Sequence, residues 1–247
     1  MTRYFIEVRL TGDTKVEAKN LIENVRKKFK LRGERPVPHI TIVYNPNPKN
    51  TNSYEEKRLI QNFTDICSQQ LIYMDCELNG FNKFSNHGVA LIRVIPSKEL
   101  GLLRKTFIKK LGPFCNLHPE FDDPSNFKPH VAIAKGLTPQ QLIRIMKYLQ
   151  TKREPQQKYL ISRITLLKNT GRGIEDSKIL CEYDFFLHRP LNRMEAKSGR
   201  IQTQTEQKIK EFVTHKTIPH VAKEKPAPKK AGFLARSFAR IKNLFKS

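Results

Sequence analysis

Two short segments of this 247-residue chain are near-copies: Pro38-His39-Ile40-Thr41-Ile42-Val43 and Pro129-His130-Val131-Ala132-Ile133-Ala134. Each sets a histidine at the start of an apolar run. In an extended chain successive side chains alternate between faces, so His39 and Thr41 share one face and Ile40 and Ile42 the other. His130 and Ala132 are paired in the same way. Two histidines at equivalent strand positions can converge on one cleft. Such a pair suits in-line displacement at phosphorus. A base takes the proton of the attacking water, and an acid on the opposite side gives one to the leaving oxygen. Imidazole serves either role, because its ordinary pKa of about 6.5 lets both forms exist near neutrality. Thr41 can donate to a non-bridging oxygen where negative charge builds. The arrangement needs neither metal nor cofactor. The residues leave open which histidine is the acid; His39 as acid and His130 as base is the working assignment.

The elements around these motifs can be read from patterning. Alternating Tyr4, Ile6, Val8 and Leu10 predict a strand. Thr14-Lys15-Val16-Glu17 reads as a capping box, with Thr14 opening a helix to about Phe29 whose apolar side is Val16, Leu21, Ile22 and Val25. A second strand runs from Val37 to Tyr44, ended by Asn45-Pro46-Asn47-Pro48. Ser53-Tyr54-Glu55-Glu56 is another capping box, before a helix carrying Leu59, Ile60, Phe63, Ile66 and Cys67. Strand-like runs follow around 71–78 and 88–95. Ser97 opens a helix with Leu100, Leu103, Phe107 and Leu111, stopped by Gly112-Pro113. A strand over 127–135 holds the second histidine. Thr138-Pro139-Gln140-Gln141 starts a helix lined by Ile143, Met146 and Leu149. Two last strands read at 159–167 and 178–187, joined by a turn at Gly171 and Gly173. The expected class is α+β with antiparallel pairing, in two similar halves, 1–95 and 96–188.

With this order of elements, residues 1–188 resemble the LigT-like two-histidine phosphoesterases, described as RNA 2′,3′-cyclic phosphodiesterases or 2′-5′ RNA ligases. Their signature is a pair of His-x-Thr/Ser-x motifs. The Arg3-Tyr4-Phe5-Ile6 opening, Gly80-Phe81-Asn82 and Phe127-Lys128-Pro129-His130 add to the likeness. The resemblance implies a bilobal fold, two antiparallel sheets around a central cleft with helices outside. It also implies hydrolysis of RNA cyclic phosphate ends, with 2′-5′ ligation as the reverse. Position by position, His39 and Thr41 fill the first motif. His130 fills the second, but Ala132 stands where Thr or Ser is expected and cannot donate to phosphate. Lys135 stands where the family often has an arginine near the phosphate, so it is a phosphate-binding candidate without the bidentate grip. Tyr44 and Phe84 are candidates for stacking on a base. His87 falls in a turn, and His118, His188, His215 and His220 read as solvent-facing. Two other functions stay open: an RNA-binding module that has lost turnover, favoured by Ala132, and a hydrolase of small 2′-5′-linked or cyclic nucleotides.

Charge supports a polyanionic partner. There are 46 Lys and Arg against 23 Asp and Glu, a net +23, which gives a field that attracts RNA first and an acidic membrane second. No apolar run reaches the ~18 residues that span a bilayer. The first residues lack a cleavable signal pattern. The four cysteines, Cys67, Cys76, Cys115 and Cys181, show no Cys-x-x-Cys pair, so neither a zinc site nor a disulfide framework is expected. A cytoplasmic monomer is the expectation. After residue 188 the composition shifts: 15 basic residues stand against 4 acidic ones. Residues 189–247 read as a basic extension, with a Lys/Pro linker at 223–230. A short amphipathic helix carries Leu234, Phe238, Ile241 and Phe245. This extension is expected to meet RNA, an acidic membrane or a protein partner.

Overall fold

The computed structural model describes residues 2–217, apart from 34, 51, 71–72, 124 and 172–176. The proposed linker and terminal amphipathic helix, and the end of the 171–173 turn, lie outside the described residues. In chain order the elements are β1 (Arg3–Arg9), α1 (Gly12–Phe29), β2 (His39–Val43), β3 (Asn47–Pro48), α2 (Ser53–Ser68), β4 (Met74–Phe84) and β5 (Val89–Pro96). Then come α3 (Lys98–Leu111), β6 (Cys115–Asn116), β7 (His130–Ala134), α4 (Pro139–Leu149), β8 (Gln156–Ile161), β9 (Arg163–Asn169), β10 (Ser177–Asp184), β11 (Arg189–Leu191), α5 (Arg193–Ala196) and α6 (Gly199–Thr217).

Two antiparallel sheets carry the fold. The first has the order β11-β10-β9-β1-β2, the second β7-β5-β4-β8, and a small β3-β6 pair stands apart. These sheets do not follow the two sequence halves. The first is built from both ends of the region, and the second comes wholly from residues 74–161. The expected strand over 159–167 is in fact two. Ile161 ends β8 in the second sheet, buried Ser162 turns the chain, and Arg163 begins β9 in the first. Periodicity continues across Ser162 and so hides the change of sheet. Helix α1, although it joins two strands of the first sheet, packs against β7 and α4 of the second.

Helix starts depend on which polar group reaches the free N–H groups. Ser97 caps α3 by accepting from Leu100 N–H, and Thr138 with Gln141 forms a full capping box on α4. The other two expected caps shift. Asn52, rather than Ser53, accepts from Glu55 N–H at the start of α2. In α1 the N-cap position is Thr11, and Thr14 is buried with its hydroxyl accepting from Gln157. Val16 and Ile143, expected inside, are exposed at 54% and 62%. The buried stripe of α4 is Leu142, Ile145 and Leu149 instead.

One glycine is required by close approach. Gly88, after the turn that ends β4, has φ +57°, and a Cβ there would lie 2.3 Å from the Leu137 carbonyl oxygen. Leu137 N–H also donates to Gly88 O at 3.0 Å. This contact draws the β4–β5 turn against the β7–α4 loop.

The compact unit holding both sheets continues to Glu211, past the Arg189 boundary expected from composition. Its reach is explained by pairing: β11 joins β10, and a buried network ties α6 to the sheet. Arg163 Nε meets Asp184 Oδ2 at 2.8 Å, its Nη1 meets Glu182 at 3.1 Å, and its Nη2 donates to Thr205 Oγ1 at 2.6 Å. The second unit begins at Phe212; its described part is the last turns of α6. Among the described residues no helix is long and apolar enough to cross a membrane.

Candidate active site

A cavity of about 520 Å³ collects all six residues singled out from the sequence: His39, Thr41, Tyr44, Phe84, His130 and Lys135. Ala132 lines it too. The first sheet forms one wall, with Arg3, Phe5, Glu7 and Arg9 of β1 beside His39 and Thr41 of β2. The wall follows from strand alternation, because Tyr4, Ile6, Val8 and Leu10 turn to the core and leave the odd positions for the cavity. Cross-strand register then sets Arg9 opposite His39 and Glu7 opposite Thr41.

The two histidines are held by the same device. His39 Nδ1 lies 2.7 Å from Val37 O, and His130 Nδ1 lies 3.0 Å from Lys128 O, each the carbonyl two residues back. A carbonyl only accepts, so each Nδ1 carries the hydrogen and Nε2 is left for chemistry. The prolines between contribute directly. Pro biases the residue before it toward extended backbone. Pro38 O accepts from Leu10 N–H at 3.3 Å, and Pro129 O from Val94 N–H at 3.2 Å. Each proline thus pins its histidine to the neighbouring strand while needing no donor of its own.

Beyond that device the two sites diverge. His39 Nε2 stands 3.6 Å from Glu7 Oε2, an ion pair when the ring is protonated. Glu7 is buried, and its other oxygen lies 3.5 Å from Arg9 Nε. Among the described residues no carboxylate pairs with His130. Its ring meets Phe84 edge-on at 4.8 Å. Burial lowers its pKa below the usual 6.5, with the charges of His39 and Lys135 acting in the same sense and the Lys128 carbonyl opposing them. His130 is therefore set to be neutral at neutral pH. His39 has the Glu7 carboxylate beside it instead.

The far wall is the segment between β6 and β7. Arg104, on α3, is 1% exposed and donates through Nη2 to Phe121 O and Asp123 O, both at 2.9 Å. Its guanidinium lies over the Phe127 ring at 4.6 Å, and its Nη1 is buried without a hydrogen-bond partner among the described residues. Asp122 accepts from Tyr44 N–H at 2.8 Å and from His118 N–H at 3.0 Å, fastening this segment to the end of β2. His118, expected in solvent, stacks on Phe121 at 4.3 Å, because its Nδ1 accepts from Phe121 N–H. Tyr44 and His87 also meet Phe121, at 4.9 and 5.7 Å. Tyr44 therefore sits in an aromatic group at the cavity wall, whereas Phe84 packs on the second histidine.

Glu7 and Arg104 are two of the lining residues that motif reading missed. Alternation along β1 places Glu7 on the face opposite the core. Arg104 falls on the apolar stripe of α3, four residues after Leu100 and three before Phe107, and a charge on that stripe is a readable anomaly. Among the described residues no group of three His, Cys, Asp or Glu side chains is placed to hold a metal ion.

Known proteins are similar to this chain. Two such solved structures are E. coli LigT complexed with 3′-AMP and TT0787 of Thermus thermophilus. The first is 15% identical, covers 74% of this chain and 96% of its own, and has a TM-score of 0.48. The second is 18% identical, covers 74% and 97%, and has a TM-score of 0.49. A search of curated proteins finds no match. The family model of the 2′-5′ RNA ligase superfamily matches residues 14–173, which include both histidine motifs, the whole second sheet, and β2 and β9 of the first. The chain belongs to the 2′-5′ RNA ligase superfamily.

Proposed function

We propose that the cavity opens a 2′,3′-cyclic phosphate at the end of an RNA, with His39 as acid and His130 as base. The observation that carries this reading is the pair of histidines with Nδ1 fixed in the same way on facing sheets, one beside a buried carboxylate and the other desolvated. Neutral His130 accepts a proton from water as the water oxygen bonds to phosphorus. The phosphorus–O3′ bond breaks, and His39 Nε2–H protonates O3′. The product carries a 2′-phosphate and a 3′-hydroxyl. With an RNA 5′-hydroxyl in place of water, the same step forms a 2′-5′ bond. Thr41 and Lys135 hold the non-bridging oxygens. Neither proton transfer needs a metal ion. Net charge of +23 favours RNA over a small nucleotide.

The test is a short RNA with a cyclic phosphate end, incubated with excess EDTA and wild type, His39→Ala or His130→Ala protein. Opening by wild type alone, giving a 2′-phosphate, is the expected result. Retention of the RNA without opening would overturn the enzymatic reading. It would favour a binding module, the alternative that Ala132 supports.

A further inference from the structure

A second cavity, of about 340 Å³, adjoins the first, and Lys135 lines both. Its polar lining is Arg26, Lys30, Arg32, Lys135 and Gln141, with no acidic side chain among the described residues. Arg26 is partly committed, since its Nη2 donates to Gly33 O at 2.9 Å. Basic residues near the end of α1 also complement the helix dipole. That explanation does not extend to Arg32, beyond the helix, or to Lys135, on the other side of the groove. Among the described residues neither these two nor Lys30 forms an ion pair with a carboxylate. Lys30 itself occupies a left-handed backbone position, φ 48° and ψ 43°, where glycine is the favoured residue. So the end of the strand that carries His130 leads, at Lys135, into a basic groove that shares this residue with the candidate catalytic cavity.

We propose that this groove binds the sugar-phosphate backbone of single-stranded RNA, taking phosphates next to the terminal one held by the histidines. The inference rests on the proposed function for the position of that terminal phosphate. Its consequence is a preference for oligonucleotides over mononucleotides. A mononucleotide fills the catalytic cavity alone and gains nothing from Lys30 and Arg32. An oligonucleotide gains counterion release at each further contact.

The test uses the full chain as wild type, Lys30→Gly, Arg32→Glu and the double variant. Lys30→Gly removes the charge and puts the favoured residue in the left-handed position. Its melting temperature should not fall, so lost binding is not lost fold. Affinity is read by anisotropy of a 5′-labelled RNA of about ten nucleotides ending in a 2′-phosphate, across a salt series. The double variant should bind roughly tenfold more weakly, with a slope of log K against log salt reduced by about 1.4, or about 0.7 per lost contact. Turnover of a mononucleoside 2′,3′-cyclic phosphate should be unchanged, while KM for the oligonucleotide rises. Unchanged RNA affinity and slope in the double variant would overturn the proposal. So would retention of phosphatidylserine vesicles that the variants abolish while RNA binding stays at the wild-type level. If wild type opens neither substrate, the catalytic reading fails and the binding comparison still decides the groove.

Discussion

The two histidine walls share a backbone design and differ in everything added to it. On β2 the ring has Glu7 beside it and Thr41 two residues on; on β7 it has Phe84, Lys135 and, two residues on, Ala132. Sequence duplication thus supplies two rings anchored through Nδ1 in the same way, and the proposed division into acid and base rests on their different neighbours. The lesson is that the near-copied motif sets geometry, while residues outside it make the surroundings of the two rings differ.

The largest test of this comparison removes either ring. His39→Ala and His130→Ala should each lower turnover by about 10²–10⁴, and the double variant by little more than the worse single one, because the two act in one step. Additive losses in steady-state kinetics would break the idea of a coupled pair. Next is the donor asymmetry. If only the β2 wall supplies a hydroxyl, Thr41→Ala should cost about 10²–10³ in kcat. Installing the missing donor by Ala132→Ser should raise kcat by about tenfold, less than a donor already positioned for the oxyanion would give. No change in either variant would mean that the cations carry the phosphate without hydroxyl help. The smallest effect is on the pH profile. His130 must be neutral to act, so activity falls on the acid side as the ring protonates, below its usual 6.5. Lys135→Met removes one of the charges that lower this pKa. The acid limb should therefore move toward higher pH. A shift in the opposite direction would sink the assignment of that limb to His130.

The residues that meet in the candidate site were legible because each motif is local. His39 with Thr41, and His130 with Ala132, lie within single strands, where alternation alone decides which side chains share a face. The core was legible for the same reason along β1 and α3. What could not be read locally was the pairing of β1 with β9 and the exchange at Ser162, since both depend on partners far along the chain. Thr14 shows the same limit at smaller scale. Its capping pattern is sound, but a tertiary bond from Gln157 takes the hydroxyl. His118 reads as a surface residue because the loop that stacks it on Phe121 is held by Arg104 and Asp122, neither of them near a motif.

The nesting of one sheet within the other bears on the order in which the protein can form as it leaves the ribosome. All four strands of the sheet with His130 lie between residues 74 and 161, whereas Arg3 must wait for Asn169 to be synthesised before β1 finds its partner. Contacts separated that far in sequence close late, because the loop entropy is paid before they form. The wall with His130 should therefore be in place while β1 still lacks β9, and the sheet behind His39 is completed only when β9 and the strands after it arrive. A chain truncated before residue 163 would keep every residue placed in the acid–base chemistry and lack the strand that seats the wall carrying His39.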